Sequence, residues 1–331
     1  MISRRALLAL PALLAATRLK AAPLWEDAAA RASGMDQLHA ILVAQDGQTV
    51  LERRFRGPAL DRPANVKSVS KTLVATLAGT ALARGEIPGL DATIGELAPG
   101  LVPPGADPRV PRLTVENLIT MQAGLERTSG GNYGAWVSSP DWVADALSRP
   151  FVAEPGTRML YSTGSYHVLG AVLAEVTGQS LLQLARARLG DPLGMPFAPW
   201  VADPQGYYLG GNDMATTPGG LLRFAEMIRL GGSYGGRQVV PQDWIRESFR
   251  PRTRSPYSGL DYGLGWFLGR SQGSRFALAR GYGGQIVAVV PDLALSVAIT
   301  SDPTRPALSG GYFGDLMALL DGTILPAARA A

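Results

Sequence analysis

Cysteine is absent from this 331-residue chain, which excludes a disulfide framework, a thiol nucleophile and a zinc–thiolate centre. Histidine occurs only twice, as His39 and His167. Two are too few for a histidine-built metal site, so neither a metal nor another cofactor is expected. A Ser-His-Asp triad would have to recruit one of these two residues. Lysine is nearly as scarce: Lys20, Lys67 and Lys71 are the only three, and the other basic residues are arginine. Arginine does not release its proton in a protein, whereas lysine can. Two of the three lysines flank one serine, Ser68, and that placement calls for a chemical reason.

The charge balance excludes a further class. Residues 1–22 read as an export signal, with Ser3-Arg4-Arg5 ahead of an apolar run from Ala6 to Ala16. The paired arginines point to a twin-arginine leader cleaved near Ala22 and to a periplasmic or secreted protein. Eleven apolar residues are too few to span a bilayer, so stable membrane insertion of the mature form is not expected. The leader holds four basic residues and no acidic one, so removing it from a chain with 31 basic and 27 acidic residues leaves 27 of each. A neutral mature protein gives nucleic-acid binding no support.

With 46% hydrophobic residues, the remainder reads as a single well-covered domain over 23–331. Leu38–Gln45 and Gln48–Phe55 are strand-like and joined by Asp46-Gly47, a type I′ hairpin signal. From about 67 to 205 the patterns are helices and loops. They include a Thr114-capped helix ended by Gly124, helices over 141–148, 165–176 and 180–188, and an extended Thr157–Thr163. Thr217-Pro218 starts a helix to Leu230, and another short helix begins at Trp244. Strands return over 262–268, 275–280, 285–290 and 295–300 before a terminal helix over 316–325. The pattern predicts an α+β fold: one antiparallel sheet made by both chain ends (about 23–66 and 206–331) beside an all-helical lobe (about 67–205).

The chemistry gathers at Ser68-Val69-Ser70-Lys71. From Val69 to Arg84 the residues are small or apolar almost all round, which marks a buried helix. Ser68 stands at its mouth, and Lys71 lies three residues on, along the same face. Serine needs a base to take its proton, and burial with the positive helix end favours the neutral amine that can do so. Two further stretches suit the same site. Tyr161-Ser162-Thr163 offers a tyrosine to share the base role. Gly281-Tyr282-Gly283-Gly284-Gln285 offers glycines that let a substrate approach backbone amides.

Ser-x-x-Lys, then a Tyr-x-Asn-like segment, then a Lys/His-x-Gly-like strand, in this order, resembles the serine β-lactamase and penicillin-binding superfamily. The class C-related branch of esterases, D-amino-acid peptidases and 6-aminohexanoate-oligomer hydrolases is most similar. Leu113–Met121 with Gly124-Leu125, Gly211–Pro218 and Tyr262–Trp266 resemble that branch as well. The resemblance implies the β-lactamase/DD-peptidase fold, with Ser68 as nucleophile and Lys71 with Tyr161 as base. It implies an oxyanion hole from the amides of Ser68 and Gln285 (Gly284 in the other register). Thr163, Tyr282, Gly283 and Gly284 would meet the substrate. Apart from the resemblance, Tyr133 and Trp136 stand at a glycine-rich loop, a setting that suits the lining of a cleft or packing in the core or on the surface equally.

Two departures bear on the substrate. Thr163 replaces the usual asparagine, and the third motif lacks the Lys or His that grips a carboxylate. Strand alternation would turn the neighbouring Arg280 away. The expected activity is that of an exported serine hydrolase acting on a neutral ester or amide. A β-lactamase or D-Ala-D-Ala carboxypeptidase is the alternative within the fold, and an acylating sensor or a silent homologue the alternative outside catalysis. Gly-x-Ser-x-Gly around Ser233 lacks the strand and helix of a nucleophile elbow, so Ser233 reads as a loop residue. His167 lies on a helix and His39 at a strand start, and both read as structural.

Overall fold

A computed structural model describes residues 23–331, and the leader read over 1–22 lies outside these residues. Eight strands form one antiparallel sheet in the spatial order 48–54, 38–45, 295–301, 285–290, 274–281, 267–271, 261–262, 253–254. The early and late parts of the chain meet near one edge of the sheet, because Leu38–Gln45 pairs with Leu295–Ser301. Every residue of Gln285–Val290 and Leu295–Ser301 is buried. Successive side chains point to opposite faces, so a strand buried at every position must be covered on both. The Pro218–Arg229 helix packs on strands 285–290, 295–301 and 38–45. The helices of the C-terminal segment reach the sheet through Gln45, which donates to the Ala328 carbonyl at 2.6 Å.

The Asp46-Gly47 turn forms as its residues demand, with φ of +50° and +76°. Val69–Ala83 is the buried helix, with residues 69–81 all enclosed. Its mid-helix glycine, Gly79, sits where a Cβ would strike the Trp244 ring at 2.3 Å, which explains a residue that otherwise weakens a helix. Thr114 forms a capping box with Asn117.

Several elements differ from the sequence reading. The Thr114-capped helix stops at Ile119 rather than Gly124, because Met121 turns the chain with φ +57°. The strand expected over 262–268 divides into Asp261–Tyr262 and Phe267–Ser271. Between them Gly265 adopts φ +86° to let its backbone approach the buried helix at Ala75. The next helix begins at Thr163, not Ser165, so the Tyr161 segment is a helix entry and not an extended strand. The terminal helix starts earlier, at Tyr312. Residues 23–33 are helical, and Ala64–Asn65, Ala215–Thr216 and Phe197–Ala198 form a small second sheet; periodicity marked neither.

That small sheet positions the site. It lies just before Ser68 and just after Gly211–Asp213, tying two distant segments together at the mouth of the buried helix.

Candidate active site

Ser68 is the N-cap of the Val69–Ala83 helix, yet its side chain makes no capping hydrogen bond. A serine at this position ordinarily spends its hydroxyl on the helix end. Here the hydroxyl is left for Lys71, whose Nζ lies 3.1 Å from Ser68 Oγ. The turn into Ser68 is set by Lys67, a non-glycine residue at φ +50°. Such a backbone persists only where its surroundings hold it. Lys67 Nζ pairs with Asp213 Oδ1 at 2.8 Å, and Asn65 binds both the same carboxylate and the Lys67 amide. Ser70 fastens the other side, donating to the Lys67 carbonyl and accepting the Met214 amide.

Lys71 is 2% exposed. Besides Ser68, its Nζ meets Thr163 Oγ1 at 3.2 Å and the Gly211 carbonyl oxygen at 2.6 Å. Burial holds its pKa below the ordinary lysine value, with Tyr161 and then Asp213 pulling the other way. The N-terminus of the Thr163–Thr177 helix, where Thr163 sits, adds positive potential and also disfavours the ammonium. Tyr161 lies across the amine, with Nζ 4.9 Å from its ring centroid.

Ser68, Tyr161 and Thr163 open on a cleft of about 540 Å³ between the sheet and the helical lobe. Tyr133, Ser129 and Asn212 form one wall, and Asn212 donates to the Tyr133 hydroxyl at 3.0 Å. Phe267, Arg280, Gly281 and Tyr282 form the sheet-side wall. Gly281 is required there, since a Cβ would come within 2.5 Å of the Val66 carbonyl oxygen. This glycine lets the strand edge lie against the turn that carries Ser68.

The geometry sorts the candidates from the sequence. Ser68, Lys71, Tyr161, Thr163 and Tyr282 come together. Gln285 is not among the residues lining the cleft: it begins the returning strand, and its side-chain amide is spent on the Ser301 backbone at 2.8 and 3.0 Å. Of the Tyr282–Gln285 turn, Tyr282 lines the cleft. Gly283 and Gly284 are correct as sites of close approach, but what approaches is protein. A Cβ on Gly283 would meet the Asp302 carbonyl, and one on Gly284 would meet Tyr312. Trp136 is fully buried and donates to the Trp142 carbonyl, so it supports Tyr133 edge-on and does not line the cleft.

Arg280 also differs from expectation. It lines the cleft, with its guanidinium 3.6 Å from the centroid of the Phe313 ring. No salt bridge or side-chain hydrogen bond engages it among the described residues, and burial lowers its pKa. His167 is enclosed with Asp203, 2.9 Å away, between Trp136 and Trp142. Ser233 sits on a small hairpin, donates to Gln238 and is not among the residues lining the cleft. The motif order did not mark Ser129, Arg280 or the Gly211 carbonyl. For Gly211 the only signal was the Gly211–Pro218 stretch.

Lysine in place of histidine beside the serine, at the seam between a two-ended antiparallel sheet and a helical lobe, defines the β-lactamase-like class of serine folds. The Beta-lactamase family model matches residues 32–315, and the chain belongs to that family. It is 31% identical over 202 residues to Esterase EstB of Burkholderia gladioli, a match covering 54% of this chain and 50% of the esterase. The chain thus spans about half the length of this curated relative. Among solved structures it superposes on EstCE1, a hydrolase with promiscuous acyltransferase activity, with a TM-score of 0.74 at 17% identity. That match covers 92% of this chain and 99% of EstCE1. A penicillin-binding protein homolog from Caulobacter crescentus gives a TM-score of 0.70 at 18% identity, covering 92% and 98%. At these identities the two structures speak to the fold alone.

Proposed function

We propose that this protein is an exported serine hydrolase that cleaves an ester or amide through an acyl-Ser68 intermediate. The observation that carries this reading is the buried Lys71 amine, 3.1 Å from a Ser68 hydroxyl that caps nothing. Ser68 Oγ attacks the substrate carbonyl as its proton passes to Lys71, with Tyr161 sharing the base role. Charge builds on the carbonyl oxygen, and the backbone amides of Ser68 and Tyr282, two residues that line the cleft, would receive it. The proton then goes to the departing alcohol or amine. Water, activated by the same pair, releases the acid and restores Ser68. The esterase relative supports an ester substrate, and Arg4-Arg5 in the leader supports export to the periplasm or medium.

One observation favours a second reading. Arg280 puts a cation without an ion-pair partner in the cleft wall, where a substrate carboxylate could bind. That would suit a β-lactamase or a D-Ala-D-Ala carboxypeptidase and weakens the argument for a neutral substrate. Mass spectrometry after brief exposure to p-nitrophenyl butyrate or a penicillin separates the readings. Ester turnover that Ser68→Ala abolishes supports the esterase. A lasting penicillin adduct on Ser68 supports the alternative. Neither turnover nor an adduct with either compound would overturn both.

A further inference from the structure

Thr163 Oγ1 lies 3.2 Å from Lys71 Nζ and 2.9 Å from Ser129 Oγ. Ser129 Oγ in turn accepts the Thr163 backbone N–H at 2.9 Å. We propose that Ser129 is a positioning residue that, acting through Thr163, aims the lone pair of Lys71 at Ser68. The proposal rests on the acyl-Ser68 reading.

Hydrogen-bond capacity decides which group donates to which. A neutral amine has two N–H donors and one lone pair, and Lys71 has three partners. The Gly211 carbonyl can only accept, so it takes one N–H. Ser68 and Thr163 are both hydroxyls, and each can donate or accept. Lys71 serves as base only if Ser68 donates to it, and Thr163 must then accept the second N–H. For that, the Thr163 O–H has to point elsewhere, and Ser129 Oγ is the acceptor within reach. The Thr163 backbone N–H holds that oxygen in place, leaving its second lone pair for the Thr163 hydroxyl. Without Ser129, the Thr163 hydroxyl is free to turn and donate into the Lys71 lone pair. The amine would then present an N–H, not a lone pair, to Ser68.

An asparagine at position 163 would need less help, because its accept-only carbonyl oxygen can face the amine while its NH2 turns to the cleft. The serine is therefore the counterpart of the threonine. The other charged or titratable groups near Lys71 come from different elements. Tyr161 precedes the helix, Asp213 is held by Lys67, and Arg280 stands on the sheet-side wall. None of them is touched by a change at Ser129.

The test is hydrolysis of p-nitrophenyl butyrate by the full chain and four variants: Ser129→Ala, Ser129→Thr, Thr163→Asn and the Ser129→Ala/Thr163→Asn double variant. Ser129→Ala is expected to lower kcat by about tenfold, the scale of one hydrogen bond, with KM changed less than about twofold. Its acid limb should move to lower pH, because a Thr163 hydroxyl donating to the amine stabilises the neutral form. Ser129→Thr should restore most of the rate. In the Thr163→Asn background the alanine change should cost less than about twofold. A loss of the same size in both backgrounds, or an unmoved acid limb, would overturn the proposal; both readouts are ratios or midpoints that a smaller folded fraction leaves unchanged. Absence of turnover in the unmodified chain would instead overturn the hydrolase reading beneath it.

Discussion

Lys71 Nζ and the Gly211 carbonyl oxygen lie 2.6 Å apart, the shortest of the three contacts that hold the amine. The carbonyl is there because Gly210 and Gly211 press against the first turns of the Thr163–Thr177 helix. Added Cβ atoms would meet the Tyr166 and Thr163 carbonyl oxygens at 2.1 and 2.8 Å. Gly211→Ala is therefore expected to displace the loop from Lys71. Ester turnover should fall at least about tenfold, and chemical denaturation should show a loss of about 1–3 kcal/mol.

Lys71→Arg should be nearly as damaging as Lys71→Ala. The guanidinium keeps its proton and is too large for a site that is 2% exposed. A fall of about a thousandfold in kcat/KM is expected for both, measured on p-nitrophenyl butyrate. Substantial activity in Lys71→Arg would show that the amine is not the base.

The pH profile follows from the direction of the Lys71 shift. Burial lowers its pKa below 10.5, and only the neutral amine accepts the Ser68 proton. The rate should therefore rise with pH through the folded-state value, on a limb whose midpoint lies below 10.5. Stability runs the same way. Between the folded value and 10.5 the unfolded chain binds a proton that the folded chain does not, so raising the pH in that window favours the fold. Lys71→Met should remove this part of the pH dependence of Tm.

Arg280→Ala tests the substrate. Turnover of p-nitrophenyl butyrate should change less than about threefold, while an ester whose acyl half carries a carboxylate should lose about tenfold or more in kcat/KM. Equal losses on both esters would mean that Arg280 serves packing on Phe313 and not recognition.

Asp203→Ala should destabilise the protein by about 3 kcal/mol in urea unfolding, since the enclosed Asp203 carboxylate lies 2.9 Å from His167 Nε2 and accepts the Tyr207 N–H at 2.8 Å. If the destabilisation is below about 1 kcal/mol, the pair is not holding the 200–209 segment to the helical lobe.

Local elements were legible where the signal was local. The Asp46-Gly47 hairpin, the Thr114 cap and the buried Val69–Ala83 helix each rest on residues a few positions apart. Which residue of Gly281–Gln285 borders the cleft was not legible, because glycines in a row look alike until the hairpin is closed. Closure pairs Gly281 with Gln285 and leaves Tyr282 on the cleft side. The place of Trp136 was not legible for a related reason. An aromatic residue near a glycine-rich loop suits a cleft or a core equally well, and only the position of Trp142 decides between them. Arg280 was expected to face away because alternation names two faces and does not say which one borders the cleft.

The chemistry follows from neighbouring residues alone: a scarce lysine three residues from a serine on a helix too apolar to be exposed. Helix geometry places those two side chains together whatever the rest of the chain does. The tertiary structure decided how that lysine is held. Its other partners lie 92 and 140 residues away, at Thr163 and Gly211. No periodicity relates such positions. They meet because the small sheet of Ala64–Asn65 with Ala215–Thr216 and the tight glycine contacts on the Thr163–Thr177 helix close the chain around the amine.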